Sequence, residues 1–230
     1  MSTETLFLNR VVVFVFAVIY WAGVWVQARR VRRRIGRSPN VRPKGLKETL
    51  LWFGWFLVVL AWLAVPFLTG SGLGSRWAAV IPALAHPAGL ALGILMMMLG
   101  YAGTLWCYVA MGSAWRMGVN RTEKTQLVTA GPYRFVRHPI YLFQAVMVAA
   151  IVVLLPSAIS LFILVIHVLC VRTKAADEDA FLQTVQSQDY QTYRARTGGW
   201  FPRWSGKHTQ TAALRAAKPD PARPAGRDAK

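Results

Sequence analysis

The chain has 230 residues, 55% of them hydrophobic, with ten Trp, a mean hydropathy of +0.36 and a formal net charge of +18. A soluble domain of this length rarely reads so apolar. The Lys and Arg stand between apolar runs rather than along one face, which argues against a nucleic-acid-binding protein and for an integral membrane protein. Two cysteines, Cys107 and Cys170, both inside apolar runs and without a CxxC or a His/Cys cluster, leave no disulfide or metal-site pattern.

In chain order, five apolar runs stand out: 11–28, 50–68, 88–111, 140–155 and 157–171. A helix needs about 20 residues to cross a bilayer core of about 30 Å. The first three suffice. The last two are short, separated by Pro156, and read as a hairpin of two spans. The expected fold is therefore an all-α integral membrane protein with about five transmembrane helices. A cytoplasmic amphipathic helix is predicted over 173–195, because Glu178, Phe181, Leu182 and Val185 follow helical spacing. "GGWFPRW" ends it. Residues 205–230, rich in Ala, Pro, Lys and Arg without an apolar period, predict a disordered basic tail.

Charge sets the expected orientation. The first apolar run ends in "RRVRRR", and the loop 29–47 adds Arg37, Arg42, Lys44 and Lys47. The loop 69–86 has only Arg76, whereas 112–138 holds Arg116, Arg121, Lys124, Arg134 and Arg137. The positive-inside rule puts 29–47, 112–138 and the C-terminus in the cytoplasm and the N-terminus outside. A bacterial-type plasma membrane is the expected location.

The concentrated polar sequence falls on that same side, in "GSAWRMG" (112–118), "GPYRFVRHPIY" (131–141) and "RTKAADEDAFL" (172–182). A belt of membrane anchors needs only Trp, Tyr, Lys or Arg; it has no use for a fixed Arg-His-Pro order or for acids at the end of a span. Gly131-Pro132 suits a tight turn. Pro139 suits the first turn of a helix, where its missing N–H is not needed, and the N-terminus of that helix can receive a carboxylate or phosphate near His138 and Tyr141. Glu178 and Asp179 suit an ammonium group or ribose hydroxyls. Arg172 reads either as a holder of an anionic substrate group or as a snorkelling anchor.

"LVTAGPYRFVRHPIY", followed about 40 residues later by "EDAFL", resembles the membrane methyltransferases of the isoprenylcysteine carboxyl methyltransferase and phospholipid N-methyltransferase group, whose signature runs GPYxxxRHPxYxG and then Glu-Glu-x-x-Leu with two tyrosines. Asp179 replaces the second Glu, Tyr190 and Tyr193 stand where the paired tyrosines fall, and Phe143 replaces the closing Gly. The resemblance covers about 85–205, making 1–84 an N-terminal membrane region with two spans and a basic loop, and 85–204 a methyltransferase-like core.

The resemblance implies S-adenosylmethionine as cofactor and a lipophilic small molecule or lipid from the bilayer as substrate: an isoprenyl-type carboxylate, a phospholipid amine, or a small thiol or alcohol. It implies Tyr133, Arg137, His138, Pro139, Tyr141, Glu178 and Asp179 as cofactor-binding residues. His138, Glu178 and Arg172 are the candidates for catalytic roles. Membrane sterol reductases, which bind NADPH, resemble the signature too, but carry Asn where Ile140 stands. A non-catalytic membrane relative is the other alternative, permitted by Phe143 and Asp179.

Overall fold

The structure is a computed structural model and describes residues 2–40, 43, 45–70, 76–116 and 127–203. The tail expected at 205–230 lies outside them. Six helices follow one another: α1 (Thr3–Ile35), α2 (Leu46–Leu68), α3 (Gly89–Met111), α4 (Pro139–Leu154), α5 (Ala158–Val185) and α6 (Ser187–Arg196). Short 3-10 turns at Arg76–Ala78, Pro82–Leu84, Gly112–Ala114 and Gly131–Arg134 join them, and the described residues contain no strand. Four helices are long and apolar enough to cross a membrane, and α4 is a shorter apolar helix. The protein is an all-α integral membrane protein, as its sequence led us to expect.

The apolar runs mark the spans but not the helix ends. At 33 residues α1 is roughly 50 Å long at 1.5 Å per residue, well beyond a bilayer core. "RRVRRR" is helical, occupying the last turns of α1 before Gly36 ends it in a left-handed conformation at φ 74°. The basic charge thus begins on a helix rather than in a loop.

The fifth span corrects the prediction most. It is not short, and no separate helix starts at 173: α5 continues unbroken for 28 residues. Between Val171 and Val185 there is no Gly or Pro, and the Ala, Lys, Glu and Leu there are strong helix formers. The break comes at Gln186, whose backbone leaves the helical region at φ −129° and ψ 49°, and α6 follows.

The helices alternate in direction. At one end Asn9 Nδ2 donates to the Leu154 carbonyl at 2.7 Å, satisfying a group at the C-terminus of α4. Arg10 Nε donates to the Pro66 carbonyl near the end of α2. There too, Ser157 caps α5 and Ser160 Oγ donates to the Leu155 carbonyl at 2.7 Å, closing the hairpin at Pro156. At the other end, Val31 of α1 packs with Tyr108 of α3 and Trp115. The basic segments, the turn at 131–134, the start of α4 and the end of α5 therefore gather at one end of the bundle. The main core, with Val13, Tyr20, Trp62, Met97, Met147, Ile151 and Ile163, draws on α1 through α5.

The closest seam, α3 on α4, explains Phe143. A methyl group added at Gly100 would collide with Met147 and the Phe143 carbonyl, and one at Gly103 would collide with the Phe143 ring. Small residues on α3 thus make room for large ones on α4, which is how membrane helices gain packing without a hydrophobic driving force. The side chain that replaces the signature glycine is spent on this seam.

Candidate functional site

The site begins at the 3-10 turn Gly131–Arg134. Gly131 has φ 59°, which only glycine adopts without strain, and this turn directs Tyr133 inward, where it is buried. Val136 forms an isolated parallel bridge with Gly198. The amides of Arg137 and His138 donate to the carbonyls of Gly198 and Gly199 at 2.8 and 3.1 Å. "GGW" is thus a strap running beside "VRH". A Cβ at Gly198 would run into the Phe201 carbonyl, so the strap requires glycine there. Pro139 then opens α4 in its first turn, as its residue type predicts.

Across from this segment stands α5. Asp179 Oδ1 lies 2.8 Å from His138 Nε2, and Asp179 Oδ2 lies 3.3 Å from Arg137 Nη2. The Tyr190 hydroxyl donates to Asp179 from α6. Arg137 Nη1 also donates to the Thr197 carbonyl at 2.7 Å. The Tyr141 hydroxyl donates to Glu178 Oε1 at 2.5 Å, and Glu178 Oε2 is 3.8 Å from His138 Nδ1. The His138 ring, only 6% exposed, is therefore bracketed by the two carboxylates and stacked on Tyr141 with ring centroids 5.9 Å apart. The Tyr193 hydroxyl donates to the Tyr133 carbonyl at 2.7 Å.

Burial pushes the Tyr133 phenol up, and pushes Tyr193 up to about 12. Burial and the Asp179 carboxylate push Tyr190 up as well. All three hold their protons as neutral donors near pH 7. Just beyond α3, Arg116 is lowered from its ordinary value by burial and by the charge of Arg37.

A cavity of about 270 Å³ adjoins this cluster. Tyr133, Arg137, His138, Tyr141 and Glu178 line it, as do Trp115 and Arg116. Asp179 and Pro139 do not: Asp179 sits behind the wall and holds Arg137, His138 and Tyr190 in place, and Pro139 only starts the helix. Arg172 is exposed and does not line the cavity, while Lys174 lines it two residues on. His167 is 2% exposed, and neither ring nitrogen has a hydrogen-bond partner among the described residues.

Sequence reasoning missed the opposite wall. Tyr20 and Val24 of α1, and Glu48, Leu51, Trp52 and Trp55 of α2, face the same space. Lys47 reaches across to Asp177 of α5 at 2.6 Å and ties the start of α2 to this site. The only sequence sign of this wall was the density of aromatic residues in the first two spans.

The fold and site define a helical membrane protein with a polar, carboxylate-bearing site at the basic end of its bundle. Residues 92–184 match the model of the isoprenylcysteine carboxyl methyltransferase family. That stretch takes in most of α3, the 131–134 turn, α4 and nearly all of α5, and over it the chain is isoprenylcysteine carboxyl methyltransferase-like, which supports a membrane methyltransferase. Among curated proteins, it is similar to the cobalt-zinc-cadmium resistance protein CzcN of Cupriavidus metallidurans, 28% identical over 175 residues, covering 73% of this chain and 74% of the relative. It is also similar to the nickel-cobalt-cadmium resistance protein NccN of Alcaligenes xylosoxydans xylosoxydans, 26% identical over 116 residues, covering 50% of this chain and 51% of the relative.

Proposed function

We infer that this protein is an S-adenosylmethionine-dependent methyltransferase that acts at the cytoplasmic face on a lipophilic acceptor taken from the bilayer. The observation that carries this reading is the convergence of Arg137, His138 and Tyr141 with Glu178 and Asp179, 37 to 42 residues apart in sequence, at the polar end of a cavity whose other end is aromatic. The cytoplasmic orientation follows from the basic segments gathered at the same end.

The donor set suits the cofactor. Glu178 presents a carboxylate to an ammonium or to ribose hydroxyls. Arg137 Nε is buried and has no hydrogen-bond partner among the described residues, leaving a donor at the cavity wall. Trp115, Tyr133 and Tyr141 give faces for a planar base. When bound, S-adenosylmethionine supplies an electrophilic methyl whose bond to sulfur breaks as the bond to the acceptor forms, leaving a neutral thioether.

The chain's own part is alignment and exclusion of water. His138, with a carboxylate beside each ring nitrogen, is held as a positioning group. Glu178, on the cavity wall, is a group able to take a proton from an amine or thiol acceptor, as are His138 and the lining tyrosines; a carboxylate acceptor needs no base. The names of the two curated relatives add one physiological expectation. A part in metal resistance would run through the lipophilic product of methylation.

Purified protein in lipid nanodiscs tests the reading. S-adenosylhomocysteine should bind and NADPH should not, and labelled methyl groups should pass from S-adenosylmethionine into a membrane-lipid extract. Binding of NADPH alone would sink the proposal.

A further inference from the structure

A second hollow, an open groove of about 800 Å³, shares no lining residue with the cavity. It lies between Arg134 of the 131–134 turn and the face of α6 that carries Asp189, Thr192 and Arg196. Arg134 and Arg196 are exposed, and neither has a carboxylate within ion-pair distance among the described residues. Arg134 instead lays its guanidinium over the Phe135 ring, 4.7 Å from the centroid, which holds the cation at the groove without neutralising it. Arg196 stands in the last turn of α6, where the helix dipole favours a cation. Arg134 belongs to another element, so that cause does not reach it. Two unneutralised cations brought together from separate elements repel each other unless an anion sits between them. Asp189, in the first turn of α6, is two turns before Arg196, roughly 10 Å along the axis. The groove is therefore cationic at one end and offers a hydrogen-bond acceptor at the other.

Beside the cationic end the surface turns apolar. Phe135 is 45% exposed and meets Trp106 of α3 edge-on, with ring centroids 6.5 Å apart. Trp106 is itself half-exposed, and Val109, one turn nearer the end of α3, is 81% exposed. A spanning helix presents such residues to acyl chains, with its aromatic rings at the headgroup level. Cation, aromatic belt and apolar helix face follow one another from Arg134 through Phe135 to α3. That is the order in which a phospholipid presents its phosphate, its glycerol backbone and its chains.

We propose that this groove binds one anionic phospholipid, separate from any methyl acceptor. Its phosphodiester sits between Arg134 and Arg196, a hydroxyl of its head reaches toward Asp189, and a chain runs along Phe135, Trp106 and Val109. The lipid acts as a clip that joins α6 to the 131–134 turn. Tyr193 already joins the same two elements from inside: it lines the groove, and its hydroxyl donates to the Tyr133 carbonyl at 2.7 Å. Headgroup binding thus braces from behind the wall on which Tyr133 faces the cavity. The site needs no chemistry in the cavity and is independent of the methyltransferase reading.

The test titrates delipidated full-length protein in neutral detergent with phosphatidylglycerol, phosphatidylcholine or glycerol phosphate, read by native mass spectrometry and thermal unfolding. The wild type should hold one phosphatidylglycerol about tenfold or more tighter than phosphatidylcholine, with a rise in Tm. Arg134→Gln combined with Arg196→Gln should lose both the preference and the rise, the loss of charged hydrogen bonds. Replacing both by Lys should keep most of each. Arg33→Gln combined with Arg34→Gln removes the same charge from an exposed part of α1 and should leave the affinity within about twofold. Equal losses in the two Gln pairs would overturn the proposal, because attraction to the overall positive charge would then suffice. So would a wild type without preference. A Tm rise with glycerol phosphate equal to that with the lipid would also overturn it, since a free phosphate ester would then be the occupant.

Discussion

On the α4–α5–α6 side of the cavity, Arg137, His138, Tyr141, Glu178, Asp179 and Tyr190 hold one another through directed hydrogen bonds and ion pairs. On the α1–α2 side, Tyr20 stacks on Trp62 with centroids 5.3 Å apart, and Trp21 meets Trp55 edge-on at 5.1 Å. There the indole N–H groups of Trp21 and Trp62 are buried without a hydrogen-bond partner among the described residues. One wall is specified by polar geometry and tolerates little change. The other is specified by shape and area and can be repacked around a different tail.

The hardest blow to the polar wall is Asp179→Ala. It strands Arg137 and His138, 12% and 6% exposed, beside each other. Because Asp179 is itself about a quarter exposed, the loss should fall at the low end of about 3–5 kcal/mol for a broken buried pair. Thermal unfolding in detergent, with loss of S-adenosylhomocysteine binding, would show it. Phe143→Ala should cost about 3 kcal/mol through the gap it opens against Gly103. It should leave S-adenosylhomocysteine affinity unchanged, since Phe143 packs on α3. A large affinity loss would contradict that placement.

Glu178→Gln is milder in stability and sharper in function. Loss of one charged hydrogen-bonding group, about 1.5–3 kcal/mol, should weaken S-adenosylhomocysteine by about tenfold or more in a titration. On the aromatic wall, Trp55→Ala should raise the KM for the lipophilic acceptor by about threefold to tenfold and keep cofactor affinity within about twofold. If both walls gave the same pattern, their division of labour would be refuted.

The smallest effect is with pH. Tyr193 is raised from 10.0 to about 12 by burial. Below pH 10 the folded and unfolded chains both keep its proton and nothing is lost. Between about 10 and 12 the unfolded chain releases the proton first, so stability declines with rising pH through that window. Tyrosinate absorbance should rise in step with loosening of α6, and a rise complete by pH 10 would show Tyr193 to be open to solvent.

Helix existence, membrane insertion and the polar segments were legible in the sequence because each is written locally: apolar runs long enough to span, basic clusters beside them, and Pro139 at a helix start. The continuation of α5 past Val171 is not legible in the apolar pattern, because polarity changes there while helix propensity does not. The recognised motif pointed to Asp179 and Glu178 together, yet only the fold separates them, placing Glu178 on the cavity and Asp179 behind it.

By itself the sequence determined a helical membrane protein with its concentrated polar sequence at one basic end. Those properties follow from burying apolar length and holding charge out of lipid, which each segment does alone. Tertiary structure decided which side chains share a space. It brought Lys47 to Asp177, set Phe143 into the groove at Gly103, and closed the cavity with two helices that carry no motif. Such neighbours are chosen by packing between distant segments, a relation that no single stretch of chain contains.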